Sequence, residues 1–110
     1  MPKFILLIRE NLTRYPIADA ELQRIVNAHR NWAKSLSARG IFIAGNGMPE
    51  QGTIVELVES KVVESPLRDM QEGIGGFYII ESENFETAVE IAKECPTFLD
   101  GDKIEVRPLM

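Results

Sequence analysis

The hydrophobic and polar positions divide the chain into alternating strand-like and helix-like segments. "KFILLIRE" carries an unbroken apolar run from Phe4 to Ile8, which predicts a strand buried on both faces. Pro16 interrupts the pattern, and an amphipathic helix is expected from Ala18 to Arg39. At about 100° per residue, Leu22, Ile25, Val26, His29, Ala33 and Leu36 fall on one stripe, opposite Arg24, Asn27, Asn31 and Lys34. Asp19 and Glu21 suit the start of that helix and Arg39 its end, with Gly40 as the stop.

Further along, "IFIAG" predicts a second strand, and "TIVELVE" and "KVVE" a hairpin turning at Glu59-Ser60. "SPLRDMQEGIGG" reads as a connector into the strand "FYIIE". A second helix covers "NFETAVEIAKEC", with Phe85, Ala88, Val89 and Ala92 inward, and Pro96 ends it. "KIEVRPL" is the last strand. The order strand, helix, strand, hairpin, strand, helix, strand predicts an α+β fold, a ferredoxin-like split βαβ with an antiparallel sheet and an inserted β-hairpin. Two helices cover one face of such a sheet, yet Phe4 to Ile8 and "FYII" are apolar on both. A bare apolar face is rare in soluble monomers. We therefore expect a homodimer whose sheets pack face to face.

Composition narrows the class. The 110 residues fit one domain spanning 1–110, with 45% apolar and 26% charged residues. A net charge of −5 argues against nucleic acid or anionic membrane as partners. The longest apolar run is too short to span a bilayer, and no secretory signal is expected at the start. Cys95, the one cysteine, fits a reducing cytoplasm. With a single His and a single Cys, no metal site is expected, and no motif calls for a cofactor.

His29 is the first candidate for chemistry, because it stands on the apolar stripe where Leu or Ala would be ordinary. One reading is a core histidine with satisfied hydrogen bonds; the other is a general acid or base in a pocket between helix and sheet. Glu64, at the end of "KVVE", is either a solvated surface residue or the carboxylate that orients the histidine. Asp69 and Glu72 carry the same two readings, with the surface one favoured. Trp32 is a core-edge or interface aromatic, or a pocket wall. Cys95 reads as packing, since it lies at a helix C-terminus where the dipole opposes a thiolate. The loop "AGNG" and the string "GIGG" lack a following helix, so neither makes a phosphate cradle. The latter glycines instead permit entry into a strand, or close backbone approach at a bulge or dimer seam.

"FILLI", the histidine in "AHRNWAKSLSARG", "VESPLRDMQEGIGGFYII" and the closing "IEVRPLM" together resemble the YCII-related family, in its DGPF-type branch. The resemblance covers nearly the whole chain. It implies a dimeric α+β barrel, with His29 at the position of a family histidine paired with an aspartate in a pocket between sheet and helices. Glu64-Ser65-Pro66-Leu67 stands where that branch has Asp-Gly-Pro-Phe, so Glu64 takes the place of the aspartate. Two functions follow as expectations. One is a cofactor-independent lyase or isomerase with His29 and Glu64 catalytic and Trp32, Phe77 and Tyr78 as pocket walls. The other is a non-catalytic dimeric module that binds a small ligand or accessory partner.

Overall fold

The computed structural model describes all residues 1–110. Strand β1 (Lys3–Asn11) is followed by helix α1 (Asp19–Ala38), then β2 (Phe42–Gly47), β3 (Thr53–Val58) and β4 (Lys61–Pro66). After these come β5 (Glu72–Glu81), α2 (Phe85–Ala92) and β6 (Lys103–Pro108). Four strands form an antiparallel sheet in the order β2-β5-β1-β6, and β3 and β4 pair separately. This is the α+β arrangement read from the element order, with the split βαβ topology and the hairpin inserted between the second and third sheet strands. No helix is long and apolar enough to cross a membrane.

Local chemistry explains the boundaries. Asp19 and Glu21 lie in the first turn of α1, where the exposed amides favour negative charge. Gly40 ends it with φ at +74°. Its N–H donates to Ser37 O at 2.9 Å and that of Ile41 to Leu36 O at 3.1 Å, the paired bonds of a Schellman stop. Asn84 caps α2 by accepting from Thr87 N at 2.8 Å. The hairpin turns at Glu59 and Ser60, both with positive φ (48° and 70°), so a two-residue turn forms without glycine.

Burial alternates along β1. Phe4, Leu6, Ile8 and Glu10 are buried beneath the helices, while Ile5 and Leu7 are half-exposed on the other face. Tyr78, Ile80, Trp32, Leu36, Ile91 and Ala92 complete the core. Ile91 replaces Phe85 as the anchor of α2, for Phe85 is 43% exposed. The stripe of α1 is buried only in its second half. Leu22 and Val26, 41% and 38% exposed, overhang a space between the helix and the sheet.

The string "GIGG" lies inside β5 rather than ahead of it. Ile8 pairs with Gly76 and Arg9 with Ile74, so Gly75 is the extra residue of a bulge. A Cβ on Gly75 would lie 2.5 Å from Glu10 Cδ. The glycine is there because a buried carboxylate needs its space.

Candidate active site

The space beneath the first half of α1 is a cavity of about 540 Å³, within the range of small-molecule pockets. Ile8, Ile25, Val26 and Phe42 give it an apolar wall. His29 and Tyr78 stand in the same wall, and Glu10, Arg14, Tyr15 and Asp102 gather polar groups there.

His29 Nδ1 is 2.6 Å from the Tyr78 hydroxyl, which also lies 3.3 Å from the His29 backbone oxygen. The two rings stack at 22°. Both hydrogen bonds can be made together only if Nδ1–H donates to the phenol and the phenol donates to the carbonyl. That tautomer leaves the Nε2 lone pair free. Burial lowers the His29 pKa from its ordinary value, while the charges of Asp100 and Asp102 pull the other way. The imidazole is thus neutral near pH 7. Burial pushes the Tyr78 phenol up, so it stays protonated.

Trp32 is 8% exposed and stands behind Tyr78 with its ring edge-on, centroids 4.8 Å apart at 76°. It buttresses the phenol from the core and does not line the cavity, a correction to its placement as a pocket wall. Phe77 borders the cavity and pairs with Leu7 on the open face of the sheet.

Glu64 and His29 are not brought together within the chain. Glu64 is exposed on β4, opposite Val55, in a hairpin that is no part of the four-stranded sheet. Asp69 and Glu72 are exposed too, and Glu72 is engaged with Arg9 at 3.2 Å. Burial takes the Cys95 thiol up to about 11, leaving it an inert part of the core.

The carboxylates that do face the cavity escaped the sequence reading. Glu10, 5% exposed, accepts the Tyr15 hydroxyl at 3.1 Å on each oxygen and Arg14 at 3.1 Å. The same guanidinium nitrogen reaches Asp102 at 2.9 Å, and Arg14 also donates to the Asp100 carbonyl at 3.1 Å. Burial raises the Glu10 pKa despite Tyr15 and Arg14, and raises that of Asp102 likewise. A signal for Glu10 was present: it continues the inward alternation Phe4, Leu6, Ile8. Nothing in the local pattern marks Asp102, which the chain crossing brings to Arg14 from the far end.

The ferredoxin-like sheet thus carries a cavity under its first helix, with His29 in the cavity wall. The chain matches the YCII-related domain over residues 3–110 and belongs to that family. Among solved structures it is similar to 5-chloro-2-hydroxyhydroquinone dehydrochlorinase (TftG) from Burkholderia phenoliruptrix AC1100, in complex with 2,5-dihydroxybenzoquinone. The identity is 17%, the TM-score 0.52, and the match covers 97% of this chain and 93% of that one. No curated protein sequence matches the chain significantly.

Proposed function

We propose that the protein is a small-molecule enzyme of the lyase or isomerase type, in which His29 moves a proton on a substrate held beneath α1. The observation that carries this reading is the position of the His29 imidazole in the cavity wall, its Nδ1 tied to Tyr78 at 2.6 Å. Nε2 takes a proton from a substrate hydroxyl or from a carbon beside a carbonyl. An isomerase returns that proton to another atom; a lyase releases it together with a leaving anion. Asp100 and Asp102 stabilise the imidazolium formed in between. The similar solved structure is a dehydrochlorinase, a lyase-type activity that suits this assignment. The cavity of about 540 Å³ has room for one substituted ring.

The working unit we propose is a homodimer in a reducing cytoplasm. Ile5, Leu7, Phe77 and Ile79 form a contiguous half-exposed patch on the sheet face that no helix covers, and a second copy of that face is its natural cover. The His29–Glu64 pair remains possible only across such an assembly, since a single chain holds Glu64 in solvent.

A thermal-shift screen of hydroxylated single-ring compounds, run on the native protein and on His29→Gln, tests the reading. A compound that raises the Tm of the native protein and not of the variant supports it. Compounds that stabilise both equally place binding away from His29 and refute it.

A further inference from the structure

We propose that Glu10 is the second acid–base group of the cavity, and that its protonated form meets an uncharged oxygen of the ligand. This rests on the reading of the cavity as a substrate pocket, and it assigns both a residue and a ligand class.

Glu10 is the one carboxylate of β1, its side chain 7% exposed, and it lines the same cavity as His29. Its place is built from three sides. Tyr15 donates to both oxygens, Arg14 donates to one, and the bulge at Gly75 leaves room for the carboxylate head. Such a holding fixes the group's direction, which a proton-transfer group requires.

The charges of the surroundings decide which ligand fits. Arg14, from the turn after β1, is the one cation in contact with Glu10, and Asp102, just before β6, shares it. From α1 the cavity receives His29, neutral near pH 7, and Arg30 at its exposed edge; from the segment after β2 it receives Glu50. β5 contributes Gly75 and Gly76 there and no charge. With Glu10 protonated, the Arg14 guanidinium is already balanced by Asp102, so that end of the cavity has no spare cation to hold a ligand carboxylate or phosphate. A hydroxyl or carbonyl oxygen is instead accepted by a carboxylic acid that can donate to it. Burial raises the Glu10 pKa and lowers that of His29, which brings the range of the protonated acid toward that of the neutral imidazole.

The test uses phenol as the uncharged probe and benzoate as an anionic probe of similar size, with dissociation constants measured by NMR titration between about pH 4 and 8 and the two probes compared only where benzoate is ionised. Native protein is expected to bind phenol at least about tenfold more tightly than benzoate. Phenol affinity falls as pH rises past the Glu10 pKa, approaching about tenfold per pH unit for one required proton. Glu10→Gln holds affinity within about threefold of the low-pH native value and removes that pH dependence. His29 still titrates in this variant, so the lost dependence is that of Glu10. Should Glu10→Gln fail to fold, Tyr15→Phe carries the test. Losing the phenol donor moves the midpoint to higher pH, which a purely structural role would not do. An unchanged pH profile in Glu10→Gln, an unmoved midpoint in Tyr15→Phe, or tighter binding of benzoate than of phenol overturns the proposal. None of these outcomes depends on turnover at His29, so the two readings fail separately.

Discussion

Replacing Gly75 by Ala puts a methyl group where the Glu10 carboxylate now sits. The added carbon would lie 2.5 Å from Cδ and 2.7 and 2.8 Å from the two oxygens, distances at which something must move. The Gly75 backbone is not in the left-handed region, so the cost is contact and not strain of the main chain. On an exposed side chain the clash would be trivial. Here the carboxylate is held by Tyr15 and Arg14, and moving it breaks charge-assisted bonds worth roughly 1.5–3 kcal/mol each. Leaving it in place instead forces overpacking at about 1–3 kcal/mol. Gly75→Ala should therefore lose about 2–4 kcal/mol, a Tm drop near 8–16 °C for a chain of this size. In the background of Glu10→Ala the methyl meets open space. Thermal unfolding of the four proteins of that cycle should then show a coupling of about 2 kcal/mol. If the two costs add within about 0.5 kcal/mol, Glu10 is not packed under the bulge and the polar end of the cavity is wrongly drawn.

Other consequences are as definite. His29 is the only histidine, so its ¹⁵N NMR titration is unambiguous and should show a midpoint below the ordinary 6.5. Because the folded pKa is depressed, the contribution of this group is present above pH 6.5 and is lost as pH falls through the folded value; His29→Gln should flatten that part of the stability profile. Glu10 has the opposite sign: its raised folded pKa makes the native state lose stability as pH climbs above 4.5, and Glu10→Gln should remove that slope. Ser60→Gly relieves a positive φ at the hairpin turn and should raise the unfolding free energy by about 0.5–1 kcal/mol in urea. Leu7→Lys puts a charge into the open apolar face and should halve the mass measured by light scattering, whereas an unchanged mass would place any interface elsewhere.

The chain's periodicity carried its architecture further than its chemistry. The apolar run Phe4–Ile8, the stripe on α1 and the stop at Gly40 each report a local geometry, so strands, helices and their order could be read directly. The hairpin turn at Glu59-Ser60 was legible from the strands on either side, although neither residue favours it. Trp32 was harder, because one helical step separates the core from the cavity wall, and only the angle of α1 to the sheet decides between them. Placing "GIGG" ahead of the strand failed for a tertiary reason: the bulge exists to admit Glu10, a residue from a different strand. Glu64 drew attention through its strand-end position and its motif, whereas the buried carboxylates reach the cavity by chain crossing. Asp102 and Arg14 lie at opposite ends of the sequence, and no local pattern joins them.

The account stands on proton transfer at His29, and the most direct measurement is solvent deuterium exchange. Single-ring hydroxy-quinols, their chlorinated forms and enolisable ring ketones would be incubated in D₂O with native protein and with His29→Gln, and followed by NMR. The account predicts exchange or loss of halide from at least one compound with native protein, slowed at least about hundredfold in the variant while its fold and mass are unchanged. Equal rates with the two proteins, or no reaction above the uncatalysed background, would contradict it.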